Sequence, residues 1–494
     1  MFFIPGTHLY PADFLAAHAD AAFIMVEDAS LCARRPYHQQ KLALIIGAMR
    51  EHAAALRARG HDVHYFSLAD GHTIGSALQQ SLAQRQCTRL LTFEIADASL
   101  RHCLQRVASE LDVQWTTVGD PGFLCSRQAF AEFVGDKQQL RMAQFYKRQR
   151  IAMDIMVDAN GEPNGGQWSF DADNRRKLPR KQAVPSLPRI RHSDRTRAAM
   201  QEVAATFSGH PGQASRLWLP TSRAGALDWL HTFLQERLAG FGTYEDAITS
   251  RSASLFHSTL SPLLNLGLLT PREVVDAVLA FTAEREIPIN DVEGLIRQVI
   301  GWREFVRGVY HHFGGAMRHG NRRGNERRLT DHWHTGRTGI PPLDAAIRHQ
   351  RELGWNHHIN RLMVIANLMN LSEIHPDEVY EYFMTYYIDA YDWVMVPNVY
   401  GMGLNSEGGV FATKPYICGS NYLLKMSDFP KGDWCDIVDG LYWRFVSNNL
   451  RELQGNQRMA FFSKGLQNLD SVRKQRIFSA ADAFLARCTS AAPT

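Results

Sequence analysis

Cysteine is sparse, and nothing in its spacing pairs it. Seven thiols stand at 32, 87, 103, 125, 418, 435 and 488, and no CxxC element occurs. An odd count without paired spacing excludes a disulfide framework and a zinc ribbon. Long hydrophobic runs are missing too, so no membrane span is expected. The opening stretch MFFIPGTHLYPADFL carries no basic residue ahead of its apolar part and is not expected to act as a secretory signal. Charge of one sign is also lacking: 54 Lys plus Arg against 50 Asp plus Glu leave a net +4. That balance gives no argument for nucleic acid, which only a clustering of basic residues could supply. Neither GxGxxG nor GxxxxGK[ST] occurs in the N-terminal region, which removes the usual dinucleotide fingerprint and the P-loop. A reducing, cytoplasmic setting is the natural expectation.

The composition that remains is globular, 45% hydrophobic and 21% charged, and 494 residues exceed one ordinary core. Residues 1–130 alternate short apolar runs with amphipathic stretches. AAFIMVED (21–28), DVHYFSL (62–68), TRLLTFEIA (88–96) and VQWTTVG (113–119) read as strands. The stretches 38–60, 73–86 and 98–111 read as helices between them. This predicts an α/β doubly wound parallel sheet. Residues 131–220 are rich in Gly, Pro, Asp and Arg and read as a long connector. Its basic run Arg175, Arg176, Lys177, Arg180 and Lys181 reads as a solvated face. Residues 221–494 carry apolar residues at 3–4 spacing in several long segments, which predicts a large all-α domain.

Three polar constellations interrupt the helical part. In LFHSTLSPLLNLGLL, the hydroxyls of Ser258, Thr259 and Ser261 precede an apolar helix. They suit either a phosphate or a plain N-cap ahead of Pro262. In VEGLIRQVIGWREFVRGVY, Glu293, Arg297, Gln298, Trp302, Arg303, Glu304 and Arg307 alternate with apolar residues. They form either a charged helix face or a flat surface with a planar fork for a ring system. In GWNHHINRLMVIANLM (354–369), His357 and His358 stand ahead of Arg361, and Asp389 follows in YYIDAYDWVMVPN. Adjacent helical residues point about 100° apart, so one imidazole can face a pocket and the other its support. Zinc would ask for HExxH or CxxC elements, and neither accompanies the pair. Two imidazoles, a guanidinium and a carboxylate among apolar residues are costly unless they serve one another or a ligand.

The motifs VEDASLCARRPYHQQKLALIIGAM, FYKRQRIAMDIM, GGQWSFDADNRRKLP, HSTLSPLLNLGLL, EGLIRQVIGWREFVRGVY, HHINRLMVIANLMNL, IDAYDWVMVPNVYGM, TKPYICGSNYLLKMSD and DGLYWRFV follow one another over nearly the whole chain. Together they resemble the prokaryotic branch of the photolyase/cryptochrome family that includes bacterial (6-4) photolyases. The resemblance implies an antenna-type α/β domain, a long connector and a helical domain binding FAD without a covalent link. It implies that His257, Ser258, Leu260 and Ser261 hold the FAD phosphates and ribitol. Glu293, Gln298, Trp302 and Arg303 would line the pocket, and Arg361, Asn367, Asp389 and Tyr391 would surround the ring. His358 would be the catalytic proton donor, with His357 as its neighbour. Arg318, Arg322, Arg323, Arg327 and Arg328 would grip the phosphates of UV-damaged DNA. A monomer is expected.

The chain also departs from the pattern. Pro342 stands where the first ligand of a [4Fe-4S] cluster would fall, and KMSDFPKGDWC keeps only Cys435, so no iron-sulfur cluster or other metal is expected. His334, Tyr382 and Phe383 replace the Trp, Trp and Tyr that feed electrons to the flavin in such relatives; Trp333, Tyr386, Tyr387 and Trp393 remain as another route. Met395 replaces a glutamate near the flavin. Leu31 replaces a glutamate that contacts a lumazine-type antenna chromophore. Three readings follow: a blue-light-driven (6-4) lyase, a cryptochrome-like photoreceptor with a signalling partner, or a flavoprotein without photochemistry.

Overall fold

The computed structural model describes residues 1–137, 139–412, 414–454 and 461–491. Thr413, the first residue of one motif quoted above, lies outside them. Five parallel strands, Phe2–Phe3 (β1), Phe23–Val26 (β2), Val63–Phe66 (β3), Arg89–Phe93 (β4) and Gln114–Val118 (β5), form one sheet in the order β3-β2-β1-β4-β5. Phe2 lies opposite Phe23 on one side and Leu91 on the other. The pleat sorts the side chains. Phe2, Phe23 and Met25 join a core with Leu42, Ala43 and Ile46 of helix Gln39–Ala58. Phe3, Ile24 and Val26 face Ile74, Leu78 and Leu104 from helices Ile74–Gln84 and Ala98–Glu110. Burial on both faces is what makes FIMV a continuous apolar run. β1, at the centre, is only two residues long and shows no period in the sequence. The strand order reverses between β1 and β4, so the carboxyl ends of these two strands open a crevice.

The connector is more structured than its composition suggests. Helix Asp194–Thr206 lies on helix Gln39–Ala58, where a Cβ on Gly47 would stand 3.1 Å from Thr221 and 3.2 Å from Thr196. Thr196 and Thr221 hydroxyls are bonded at 2.7 Å. Further upstream, the Phe170 amide donates to Glu293 at 3.0 Å and the Asn174 amide to Glu245 at 3.0 Å, fixing the same connector to the helical part.

Beyond the connector the regular elements of the described residues are almost all helices, and none of them is long and apolar enough to cross a membrane. Two expected helices are broken. The 289–317 segment runs as Ile289–Ile296, a π-helical stretch Arg297–Arg303, and Glu304–Met317. In the 354–369 segment, Gly354 at φ 61° ends the preceding helix, and Trp355, Asn356 and His357 are not helical. Helical structure resumes only at His358 and passes into a π-helical stretch, Asn360–Ala366. Helices Trp434–Asn448 and Ser471–Cys488 meet backbone to backbone: a Cβ on Gly440 would fall 1.9 Å from the Ile477 carbonyl oxygen.

Candidate functional site

The break before His358 sets the geometry. The two histidines straddle a helix start instead of sharing a helix, and their rings stand 6.5 Å apart at 74°. His357 is buried at 1% exposure and stacks on His257, with centroids 4.7 Å apart and planes 5° from parallel. Burial, and then the neighbouring His357 and His358, hold His257 well below the ordinary imidazole range. Burial, and then His358, do the same for His357. Both rings are therefore neutral near pH 7. The His358 side chain is 44% exposed, stands edge-on to His257 at 5.5 Å, and approaches Asp246 at 3.6 Å.

Beneath the histidines, Arg361 grips Asp389 with two nitrogens at 2.8 and 3.0 Å and donates from Nε to the Asn356 carbonyl at 2.7 Å. Asp389 also accepts from Ser261 Oγ at 2.6 Å, and its backbone carbonyl accepts from Asn265 at 3.1 Å. The guanidinium lies 4.1 Å over the Tyr387 ring. Such a fork is a fixed, charge-assisted arrangement. Ser258 and Leu260 sit in the turn that leads to Ser261, with Thr259 at φ 54° between them. Around this floor, His257 Nε2, both His357 nitrogens, Trp355 Nε1 and Asn360 Oδ1 are buried without a protein partner. Buried polar atoms normally have partners, so this concentration fits a polar ligand.

The other expected residues make contacts of their own within the protein. Gln298 donates to the buried Glu245, which also receives Arg297 at 3.2 Å. Glu293 binds Arg297 and the connector, so it ties segments together instead of facing the histidines. Trp302 packs on Phe305 and Phe411. Asn367 is bonded both ways to the backbone of Cys418, at 3.1 and 3.3 Å. Arg303 and Tyr391 line the crevice at the ends of β1 and β4, with His8, Tyr10, Phe123 and Trp393. Arg303 donates to the Gly122 carbonyl at 2.6 Å, and Tyr391 lies under Lys41 at 5.3 Å. Leu31 is 43% exposed.

The five arginines expected to grip DNA are all engaged within the protein. Arg318 pairs with Asp392, Arg322 and Arg323 with Glu452, Arg327 with Glu373 and Arg328 with Glu378. Their charge, to which the resemblance gave a phosphate grip, is matched by carboxylates distant in sequence. The connector run is freer at its far end: Arg176, Arg180 and Lys181 are exposed, and Arg175 reaches Asp246, the neighbour of His358, at 4.0 Å. Glu245, Asp246, Asn174 and Trp355 were not singled out in the sequence; the acidic pair beside Tyr244 was the one available signal.

His334 bonds Tyr386 at 3.0 Å, Tyr386 lies 4.7 Å from Tyr382, and Phe383 lies 5.1 Å from Tyr387. These rings form a ladder ending under Arg361. Among the described residues no three His, Cys, Asp or Glu side chains converge as metal ligands; Met395, Pro342 and Cys435 are buried.

The polar floor thus lies in a helical body joined to a parallel sheet, and comparison with known proteins gives this architecture a family. Residues 2–218 match the family model described as deoxyribodipyrimidine photo-lyase-related protein, and residues 296–418 match the FAD binding domain of DNA photolyase. A (6-4) photolyase from Agrobacterium fabrum is 32% identical over 438 residues, 86% of each chain. The chain belongs to the photolyase/cryptochrome family. Two solved structures share the fold over 98% of this chain and 97% of theirs. They are a bacterial class III photolyase from Agrobacterium tumefaciens (TM-score 0.58, 17% identity) and a cryptochrome from Synechocystis sp. PCC6803 (TM-score 0.56, 15% identity).

Proposed function

We infer that the chain is a light-driven DNA repair enzyme acting on (6-4) photoproducts. The observation that carries this reading is the division of labour among the histidines: two buried neutral rings, His257 and His357, back one solvent-facing imidazole, His358. The orphaned polar atoms of His257, Trp355, His357 and Asn360, with Ser258, Leu260, Ser261, Arg361 and Asp389, would hold FAD. When bound and reduced, that cofactor supplies the photo-excited electron. The protein's own part is positional. Asp246, 3.6 Å from Nε2, orients His358, whose other ring nitrogen, Nδ1, presents a proton to the oxygen that moves between the two bases. Arg361 stays paired with Asp389 at the floor. A flipped base reaches His358 from solvent, and flipping is least costly at a poorly stacked lesion. The strand would be held by Arg176, Arg180 and Lys181 at the connector rim, since Arg318–Arg328 are engaged internally.

The test is illumination of purified, flavin-loaded protein with an oligonucleotide carrying one (6-4) lesion. Recovery of intact thymines, abolished in His358→Ala while flavin absorbance is kept, is the expected result. Repair unchanged in His358→Ala would sink the reading.

A second reading, a blue-light photoreceptor with a signalling partner, draws support from the internal pairing of Arg318–Arg328, which leaves that segment without a free basic face. Photoreduction without any lesion repair would favour it. A monomer in cytoplasm without an iron-sulfur cluster completes the proposal; Leu31, in place of the contacting glutamate, leaves the pocket for a lumazine-type antenna altered or empty.

A further inference from the structure

A second crevice shares no lining residue with the histidine site. It lies between helices Arg127–Val134 and Glu304–Met317, encloses ≈ 190 Å³, and is bordered by Arg127, Phe130, Glu304, Arg307, His311 and His312. Gly308 lets the helices close at Phe130, whose ring would stand 2.2 Å from a Cβ there. Ala131 and His312 are exposed at the mouth.

Its walls are rich in donors. The Arg307 side chain, 4% exposed, reaches the Cys125 carbonyl at 2.9 Å and Glu94 at 3.3 Å, while its Nε is buried without a partner. Arg127 pairs with the same Glu94 and donates to the Ile95 carbonyl at 3.0 Å. Arg101 donates to that carbonyl at 3.2 Å. Glu304 accepts the amides of Leu124 and Cys125 at 3.1 and 3.0 Å, so its carboxylate is already engaged. One carboxylate, Glu94, thus serves two guanidiniums. His311 Nε2 is also buried and unpartnered. After burial, the charges acting on His311 are those of Arg127, Arg307 and Arg101, and together they push it down to about 2. Three guanidiniums thus bear on His311 beside the carboxylates Glu94 and Glu304, and two buried nitrogens, Arg307 Nε and His311 Nε2, lack a partner.

The geometry points to an anion site that takes the phosphate group of a small molecule, held by Arg307 and Arg127 with His311 donating from Nε2. Guanidinium forks match tetrahedral oxyanions, and an oxyanion here would satisfy two orphaned donors at once. The depth of Arg307 excludes the backbone of a DNA duplex. The inference stands apart from the flavin reading, because it uses none of the same residues.

The experiment titrates inorganic phosphate and pyrophosphate into the full chain by calorimetry and ³¹P line broadening, in the dark. Saturable 1:1 binding, weakened at least about tenfold by Arg127→Gln and by His311→Phe, is expected. In both variants the thermal midpoint should be retained. Two variants keep the test alive if one fails to fold. The proposal is overturned by absence of saturable binding up to about 10 mM, by affinity unchanged in both variants, or by displacement of pyrophosphate by an undamaged duplex.

Discussion

His257 and His357 stack 4.7 Å apart and nearly parallel, and neither has a protein partner at Nε2. Two cations could not share that spacing in a buried site, so the pair is held neutral. Their folded-state values lie below the ordinary 6.5, so the unfolded chain binds more protons as pH falls through that value. Stability is expected to be fully present above 6.5 and to decline below it. NMR titration should show no imidazole protonation of either ring between about pH 6 and 8; a midpoint inside that window would contradict the geometry.

Arg361→Met would leave Asp389, 6% exposed at its side chain, with Ser261 as its remaining side-chain hydrogen-bond partner. Breaking one half of a buried pair is expected to cost about 3 kcal/mol in urea unfolding, because the remaining charge is uncompensated. Flavin stoichiometry should fall with it, and Arg361→Lys should not restore the fork.

Lys41 reaches from helix Gln39–Ala58 to the Ala390 carbonyl at 2.6 Å, and burial lowers its amine to about 7 despite the nearby Asp389. Between that value and 10.5 the unfolded chain holds a proton that the folded chain does not, so stability rises with pH across the window. From pH 7 to 9 the gain should be about 2 kcal/mol. Lys41→Met should remove this increment; an unchanged pH slope would mean the amine stays charged when folded.

Arg323 is buried against Glu452 and donates to the Leu404 carbonyl at 2.8 Å. Arg323→Ala should lower the melting temperature without altering the salt dependence of DNA binding. Arg176→Gln and Lys181→Gln should each reduce the slope of log affinity against log salt by about 0.9. Equal slopes in all variants would remove the connector from the DNA interface.

Most of the sheet was legible because strand and helix periods differ and Gly60 punctuates them. β4 and β5 fall inside the stretches expected. β1 was not legible, since Phe2–Phe3 is too short to show alternation and is placed by its neighbours. The helix at Asp194–Thr206 hid in a connector because its apolar stripe is narrow: Ala199 and Val203 are its only fully buried aliphatics. Within the site, His357, His358, Arg361 and Asp389 were visible as polar residues in apolar surroundings. Glu245 and Asp246 carried no motif, and only folding brings them to His358. The arginines at 318–328 illustrate the converse: charge density along a sequence says nothing of carboxylates that arrive from 373, 378, 392 and 452.

The connector grips both bodies at once. Its helix Asp194–Thr206 rests on helix Gln39–Ala58, while Phe170 and Asn174 are anchored to Glu293 and Glu245. Neither body can open without releasing surface that belongs to the other. Heating should therefore give a single calorimetric transition whose van't Hoff and calorimetric enthalpies agree, although the chain folds around several hydrophobic cores.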